Sequence, residues 1–335
     1  MSSDGFQWDK SKNKLVSAMY REWWFFALYD PSSDIAFCMG YAVDDPLGTF
    51  GGQKVGIAGM IWPSVKNYEQ NGNIVLDVQD SFNYSDFHAR PQDASVQITS
   101  SNRIEVIDAQ HYQVIGSSKD QSIKWWLSYQ QTSYACRQVV EFPELQLDWI
   151  SYMPAARVKG VIQVHGKNTS IDTVGYHDHN YGSWPASMFD WIWAQFNEPT
   201  TDFAIVMGAY KIPLTSSYVG YVFIRHEGKR IKIGSLCGNS FELHCLGWKK
   251  FNGRDYCVHT RVQAQSHQWK VQMEYKAQVS DRNPGDRGLG LLVYEQVSSY
   301  HVEFYQNTGS ESQPNWNLVV QPTGFGFSEW CDLKV

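Results

Sequence analysis

The sequence has no long run of basic residues, and none of its basic stretches is longer than KK or GKR. With 28 Lys and Arg against 34 Asp and Glu, nothing predicts the positive surface that binds nucleic-acid phosphates. No apolar run approaches the roughly 18 residues of a membrane helix, and the polar start MSSDGFQWDKSKNK lacks the layout of a signal peptide. We therefore expect a soluble, cytoplasmic protein that binds no nucleic acid and has no integral membrane segment.

Paired cysteines and nucleotide-binding motifs are also missing. The chain contains no CxxC pair, so we expect reduced, mostly buried thiols rather than a zinc knuckle or a disulfide framework at its six cysteines: Cys38, Cys136, Cys237, Cys245, Cys257 and Cys331. A Walker loop, a GxGxxG turn and a GxSxG elbow are absent as well. This leaves chemistry that needs no cofactor, or binding alone.

Helical periodicity is scarce, whereas alternating, β-rich runs such as EWWFFALY, RIEVIDAQHYQVIG and ARVKGVIQVHG recur along the 335 residues. Turn residues such as HGKN at 165–168 separate them at hairpin spacing. Two successive runs of about eight strands predict an all-β fold of two antiparallel barrels or sandwiches in tandem. We place the domains at residues 1–184 and 185–335, with the join near GSWPASM at 182–188.

The most polar motif, GYHDHN at 175–180, ends the first series of strands. If it is a strand, Tyr176, Asp178 and Asn180 share one face, and His177 and His179 share the other. A carboxyl on an apolar face has two possible roles. Desolvation can keep it protonated as an acid, or hydrogen bonds can hold it ionised as a structural anchor. The sequence leaves both roles open for Asp178. If Asp178 is an acid, Tyr176 and Asn180 are predicted to be catalytic with it.

The two histidines have the spacing of metal ligands on one strand face. A zinc site needs at least a third protein ligand, and no paired cysteine or HExxH motif accompanies them. We therefore expect no metal. His177 and His179 are predicted to be structural, hydrogen-bonded residues or members of a proton relay.

Aromatic residues make up 15% of the chain, including 14 Trp, and they serve equally well in dense β-cores and in apolar cavities. In FDWIWAQF, alternation predicts that Trp191, Trp193 and Gln195 share a face. Indole faces can bind an apolar substrate and stabilise a cationic intermediate. These three residues are therefore predicted to contact substrate. Glu329, in the C-terminal GFSEWCDL, is a further residue that could reach a cavity or lie at a solvated edge.

In REWWFFALYD, the same alternation places Glu22, Trp24 and Phe26 on one face. We predict that these residues contribute to a substrate-binding surface, with Glu22 as a second candidate buried carboxyl. The ordinary explanation for Glu22 is an ion pair with Arg21 or Arg157, and this is the one that we favour.

Two segments resemble a known family: REWWFFALYDPSSDIAF and PAARVKGVIQVHGKNTSIDTVGYHDHNYGSWP. They are similar to the carotenoid 1,2-hydratase (hydroxyneurosporene synthase) family and its relatives, which include lipocalin-like fungal Diels-Alderases. The YHDHN motif, followed by an aromatic residue and Gly, is the most specific part. The resemblance covers residues 20–195 and is architectural beyond them. It implies two lipocalin-like β-domains with an apolar pocket between or within them.

The resemblance also implies roles for individual residues. Tyr176 and Asp178 correspond to the pair that is held to protonate an isoprenoid double bond in the hydratases, where water then captures the cation. The hydratases carry a His-x-Trp pattern before the ARV strand; here Trp149 is present and is predicted to contact substrate, and Leu147 stands where the His would fall. This departure favours cyclisation or rearrangement, reactions from which water must be excluded.

Three functions follow from these observations. The leading hypothesis is a cofactor-independent cyclase or isomerase that folds a hydrophobic terpenoid, polyene or polyketide-like intermediate in an aromatic pocket near the domain junction, with Asp178 as the general acid. One alternative is a carotenoid-type hydratase. The other is a lipocalin-like binder of an apolar ligand, in which Asp178 and the histidines serve only as hydrogen-bonded anchors.

Overall fold

A computed structural model describes residues 4–8, 19–48, 52–68, 70, 74–142, 145–183, 190–198, 200–211, 217–235, 239–251, 253–278, 285–286 and 291–333. Within these ranges the chain forms 23 strands and one 3-10 helix, Tyr84–Asp86, and contains no α-helix. It divides into two compact units, Met1–Pro185 and Ala186–Val335. The prediction of an all-β chain with two antiparallel β-domains in tandem is confirmed.

The first unit contains one twelve-stranded antiparallel sheet. Its strands are β1 (Tyr20–Asp30), β2 (Ile35–Asp44), β3 (Lys54–Trp62), β4 (Leu76–Phe82), β5 (His88–Ala89), β6 (Val96–Gln97), β7 (Arg103–Asp108), β8 (His111–Ser117), β9 (Ile123–Gln131), β10 (Cys136–Phe142), β11 (Leu145–Val164) and β12 (Lys167–Ser183).

The second unit contains one eleven-stranded antiparallel sheet. Its strands are β13 (Trp191–Glu198), β14 (Phe203–Lys211), β15 (Tyr218–His226), β16 (Lys229–Gly234), β17 (Ser240–Phe251), β18 (Arg254–Gln265), β19 (Trp269–Ala277), β20 (Gly285–Asp286), β21 (Leu291–Asn307), β22 (Trp316–Val320) and β23 (Thr323–Leu333).

Both sheets follow the same topology. In the first, the strand order is β4-β3-β2-β1-β12-β11-β9-β8-β7-β6-β5, and in the second it is β16-β15-β14-β13-β23-β21-β19-β18-β17. The opening strand of each unit, β1 or β13, therefore pairs with the last strand of the same unit. This pairing brings the EWW segment beside the YHDHN segment, which lies more than 150 residues further along the chain.

Hairpin turns join neighbouring strands where the sequence predicts them. The turn between β11 and β12 has positive φ at His165 (47°) and Gly166 (81°), and the turn between β15 and β16 has positive φ at Glu227 (48°) and Gly228 (72°). Two successive residues with positive φ match the right-handed twist of the flanking strands, and Gly adopts this conformation without steric cost.

Each sheet curls around its own apolar core. In the first unit, the Tyr41 hydroxyl on β2 donates a hydrogen bond to the carbonyl of Ile115 on β8 (2.8 Å) and accepts one from Trp125 Nε1 on β9 (2.8 Å), although five strand steps separate β2 from β8 in the sheet. In the second unit, the Phe241 ring on β17 approaches Gly220 on β15 so closely that a Cβ there would lie 2.5 Å from it. Both sheets are therefore half-barrels whose ends meet across a core.

The expectation that all six cysteines are reduced thiols is wrong for one pair. Cys245 on β17 and Cys257 on β18 form a disulfide, because the β17–β18 pairing brings their Cα atoms to 5.8 Å. Cys38, Cys136 and Cys331 are thiols, and Cys237 lies outside the described residues. Among the described residues, no helix is long and apolar enough to cross a membrane.

Candidate active site on the first sheet

The motif at 175–180 lies within β12, whose alternation divides its side chains as the sequence predicts. Register with β1 pairs His177 with Phe26 and His179 with Trp24, two residues of the core of the first unit. Asp178 and its neighbours two residues away therefore project from the opposite face of the sheet. The chemistry of the motif is split between two faces of one strand.

Strand β11 contains two irregularities, each opposite a motif residue. The register steps from Ile150–His179 to Met153–His177 and then to Ala156–Gly175. Two residues of β11, 151 and 152, thus stand opposite Asp178, and two more, 154 and 155, stand opposite Tyr176. Residue 154 is a proline, which has no N–H to donate and is tolerated in a sheet interior at such bulges. Bulges re-aim side chains and are common beside active sites.

Asp178 is held by three hydrogen bonds on its own face of the sheet. Trp149 Nε1 and the Tyr176 hydroxyl both donate to Oδ2, each at 2.8 Å, and Asn180 Nδ2 donates to Oδ1 at 2.9 Å. Trp149 reaches the carboxyl because its β11 position pairs directly with Asn180 on β12. Asp178, Tyr176, Asn180 and Trp149 thus form one connected cluster.

Burial dominates the acidity of this carboxyl. The Asp178 side chain is 4% exposed, and desolvation raises its pKa from 3.8 to about 6, although the hydrogen bonds from Trp149 and Tyr176 and the charges of His177 and His179 oppose the rise. A carboxyl with a pKa near neutrality is available as an acid and, once ionised, as a base.

The hydrogen bonds also determine which oxygen can carry the proton. Oδ2 already faces an indole N–H, which can only donate, and a phenol that donates as well. Among the described residues, only the Asn180 amide donates to Oδ1, which therefore keeps its second lone pair. The protonated form of Asp178 is therefore best accommodated with its hydrogen on Oδ1, on the side of Asn180.

The histidines belong to a second polar cluster, inside the core of the first unit. His177 places Nδ1 3.0 Å from the carbonyl oxygen of Phe25 and Nε2 3.2 Å from Asp4 Oδ2. Asp4 Oδ2 also accepts a hydrogen bond from the Tyr112 hydroxyl at 2.7 Å. His179 Nε2 lies 2.8 Å from Glu22 Oε1. This network ties the segment 4–8 to strands β1, β8 and β12.

Glu22 is buried, but the predicted ion pair with Arg21 or Arg157 is wrong. Its partners are His179, the Tyr20 hydroxyl and the backbone N–H of Gln7. Arg157 instead pairs with Asp172 at the surface, at 3.5 Å. Desolvation raises the pKa of Glu22, and the hydrogen bonds from His179, Tyr20 and Gln7 oppose the rise. The β1–β12 register places Glu22 on the same face as His179, because it lies two residues before the partner of that histidine.

The other two residues predicted beside Glu22 also face the core. The Trp24 ring stacks on His179 with centroids 4.7 Å apart, and the Phe26 ring stacks on His177 at 4.1 Å. Trp24 Nε1 donates to the carbonyl of Asp4 at 3.0 Å. Glu22, Trp24 and Phe26 are thus grouped with the histidines, on the face opposite Asp178.

Trp191, Trp193 and Gln195 lie on β13 of the second unit. Trp191 is half-buried and donates its indole N–H to Glu329, while Trp193 and Gln195 are buried. Register pairs Trp193 with Glu329 on β23, and Glu329 pairs in turn with Glu295 on β21. The structure therefore brings the four predicted residues of this unit together in one sheet.

Sequence reasoning missed three residues: Asp4 and Tyr112, which belong to the histidine cluster, and Ser151, which the register of β11 places opposite Asp178. Asp4 and Tyr112 contact the histidines through tertiary packing alone, and no local pattern marks them. Ser151 could have been found, because it lies two residues after Trp149 and three residues before the proline of β11. Among the described residues, no group of three or more His, Cys, Asp or Glu side chains is arranged to hold a metal ion.

No protein-family model matches the sequence, and no curated protein matches it either. Several solved structures match its fold. One is a protein of Nitrosomonas europaea provisionally named AttH, with 13% identity, a TM-score of 0.67 and 92% of each chain covered. Another is kievitone hydratase from Nectria haematococca, with 13% identity, a TM-score of 0.62 and 98% and 95% of the two chains covered.

A third match is CghA in a structure with Sch210972, at 12% identity and a TM-score of 0.55, with 99% of this chain and 95% of that chain covered. At such identities the likeness concerns the fold. The resemblance that the motif residues predict is confirmed at that level: the chain shares the lipocalin-like architecture of these proteins.

Proposed function

We propose that this protein is a cofactor-independent cyclase or isomerase of a hydrophobic terpenoid, polyene or polyketide-like intermediate, with Asp178 as its general acid. The observation that carries the proposal is the state of the Asp178 carboxyl, which is desolvated, has its pKa raised to about 6 and is oriented by Trp149, Tyr176 and Asn180. General acids are most effective when their pKa lies near the working pH. A purely structural anchor, by contrast, is held ionised by its donors.

The cluster supports a simple cycle. Oδ1 of protonated Asp178 gives its hydrogen to a double bond or a carbonyl oxygen of the substrate, which becomes cationic. A second double bond of the same molecule captures the cation, and loss of a neighbouring proton to the carboxylate restores the acid. Product and substrate then have the same mass. The Tyr176 and Trp149 hydrogen bonds to Oδ2 stabilise the carboxylate while the cation exists.

Leu147 favours cyclisation over hydration. It is buried, lies two residues before Trp149 on β11 and pairs with Gly182 across the sheet. Alternation places its side chain on the same face as Trp149. An isobutyl group offers no hydrogen bond to a water molecule and occupies space that one could use. Water is the competing nucleophile for the cation, so its exclusion leads to intramolecular capture.

Hydration is the second candidate, since a hydratase is among the proteins that share this fold. The first step would be the same proton transfer from Asp178, followed by capture of the cation by water. The product would then be heavier than the substrate by one water molecule.

Mass spectrometry of extracts from a producing host tests the proposal, using strains with the wild-type gene, without the gene and with single variants. We expect a product isobaric with a precursor that accumulates in its absence. Asp178→Asn should reduce product formation by a factor of about 10² to 10⁴. Asp172→Asn is a matched control, because Asp172 lies on the same strand with its side chain exposed.

Each outcome has a definite meaning. A gain of one water in the product would establish hydration in place of cyclisation. Product formation that survives Asp178→Asn would exclude acid catalysis by this residue. If extracts with and without the gene are identical and an apolar ligand co-purifies with the protein, the chain is a binder and not an enzyme.

A further inference from the structure

Ser151 carries a buried hydroxyl that has no hydrogen-bond partner among the described residues. Its side chain is 0% exposed, and Oγ makes no hydrogen bond within the described part of the chain. Buried polar groups in native proteins are nearly always hydrogen-bonded, so an exception calls for an explanation in terms of function or a bound molecule. Ser133, eighteen residues earlier, shows the usual arrangement, since its Oγ accepts from the N–H of Ala155 at 2.9 Å and donates to the carbonyl of that residue at 3.2 Å.

The register of β11 places Ser151 opposite Asp178, the proposed general acid. It is the first of the two β11 residues that stand opposite Asp178, at the first bulge. Its neighbours Ile150 and Tyr152 pack together in a small cluster with Tyr20. Alternation therefore puts Ser151 on the other face, the one that carries Trp149, whose indole donates to Asp178.

Asn180 presents a second unengaged polar atom on this face. Its Nδ2 donates to Asp178 Oδ1, while its own Oδ1 accepts no hydrogen bond from any described residue. At 8% exposed, Asn180 is the most accessible member of the cluster. The Asn180 acceptor and the Ser151 hydroxyl thus lie on the face of Asp178, and neither atom has a hydrogen-bond partner among the described residues.

We propose that Ser151 and Asn180 form a polar subsite for a hydroxyl group of the substrate, which is therefore an alcohol or enol on an apolar skeleton and not a hydrocarbon. A hydroxyl can donate to Asn180 Oδ1 and accept from Ser151 Oγ at the same time. The inference rests on the proposed function, because it places the subsite beside Asp178. Ser151 is 0% exposed and Asp178 is 4% exposed, so a substrate that reaches either side chain must first displace residues that cover it.

This subsite also accounts for the location of the bulge. A regular ladder would place one residue opposite Asp178, whereas the bulge supplies two, Ser151 and Tyr152, and neither of them is paired with β12. The bulge thus adds a polar side chain to the stretch of β11 opposite Asp178. A site built to hydrogen-bond a hydroxyl rejects analogues that lack it, because its polar groups are then left unpaired.

Two probes with the same carbon skeleton test the inference: farnesol, which has a hydroxyl, and β-farnesene, which has none. Titration calorimetry would measure their dissociation constants for the full-length protein. We expect wild type to bind farnesol about tenfold more tightly than β-farnesene. Ser151→Ala should weaken farnesol binding by about the same factor and leave β-farnesene binding unchanged.

The urea midpoint separates a binding role from a structural one. Ser151→Ala removes no hydrogen bond of the described residues, so its midpoint should equal or exceed that of wild type. The matched control Ser133→Ala removes two and should lower it. If Ser151→Ala fails to fold, Ser151→Cys keeps the volume with a weaker donor and replaces it in the same titrations.

Equal affinity of wild type for both probes, binding of neither, or a preference for farnesol that survives Ser151→Ala would each overturn the inference. Its failure is distinct from failure of the proposed function, which depends on Asp178→Asn and on product mass. Loss of the hydroxyl preference in Ser151→Ala, with product formation intact in Asp178→Asn, would keep the subsite and reject the acid.

Discussion

Replacing Asp178 with Asn should stabilise the protein at alkaline pH, because it removes an ionised carboxyl from a desolvated site. Burial raises the pKa of Asp178 from 3.8 to about 6. The native state therefore holds this proton more tightly than the unfolded chain, whose carboxyl has a pKa of about 3.9. This tighter binding of the proton stabilises the native state. The stabilisation is fully present below about pH 4 and is lost as the pH rises through 6.

The size of the effect follows from the two pKa values. One pKa unit corresponds to 1.36 kcal/mol, so ionised Asp178 lowers the free energy of unfolding by about 3 kcal/mol above pH 7. About half of this loss is already present at pH 5, and about 1.4 kcal/mol more develops between pH 5 and pH 8. In Asp178→Asn the amide oxygen can still accept from Trp149 and Tyr176, so these donors keep an acceptor.

Urea denaturation of wild type and Asp178→Asn at pH 5, 6, 7 and 8 measures the prediction. The difference between the two proteins isolates Asp178 from other titrating groups, such as Glu22, whose pKa is also raised by burial. Asp172→Asn serves as the control, because the hydrogen bond with Lys159 lowers the pKa of that carboxyl. The free energy of unfolding of Asp172→Asn, relative to wild type, should not increase between pH 5 and pH 8.

A stability difference for Asp178→Asn that is flat between pH 5 and pH 8, or that favours wild type increasingly, would refute the reasoning. Either result would mean that Asp178 is a solvated or firmly ionised anchor. The carboxyl could not then serve as a general acid near neutral pH.

Two further perturbations test the clusters on the two faces of β12. Trp149→Phe removes a donor to Asp178 Oδ2 and should raise the titration midpoint of this carboxyl by roughly 1 to 2 pH units. Carboxyl ¹³C NMR measures the midpoint, and Asp178→Asn assigns the signal. An unchanged midpoint would show that the hydrogen bond is unimportant. Asp4→Ala leaves the Tyr112 hydroxyl and the His177 imidazole without their buried acceptor and should lower the free energy of unfolding by about 3 to 5 kcal/mol in urea. As a control, Asp86→Ala at an exposed position should change the free energy of unfolding by no more than about 0.5 kcal/mol. A loss below about 1 kcal/mol in Asp4→Ala would contradict a tightly coupled network.

Much of the fold could be predicted because its signals are local. Alternation with a period of two identifies strands and assigns side chains to faces without knowledge of their neighbours. Residues such as His165 and Gly166 mark a two-residue turn by their tolerance of positive φ. The grouping of Tyr176, Asp178 and Asn180 on one face follows from the same alternation.

The contacts of the candidate site could not be predicted, because they join residues distant in sequence. Asp4 meets His177 across 173 positions, and no local pattern relates the two. The expectation of an arginine partner for Glu22 failed because the β1–β12 register offers a histidine instead. Cys245 and Cys257 lack a recognisable motif and were joined only by the pairing of β17 with β18.

The sequence by itself determined that the chain is all-β, and it separated Asp178 from the histidines by strand alternation. Only the tertiary structure decided which residues lie against Asp178 and which lie against the histidines. The register of β1 on β12 sets Trp24 and Phe26 against the histidines, and the bulged β11 sets Ser151 opposite Asp178 and brings Trp149 within hydrogen-bond distance of it. Alternation is a property of one strand, whereas register and bulges depend on how two distant strands meet.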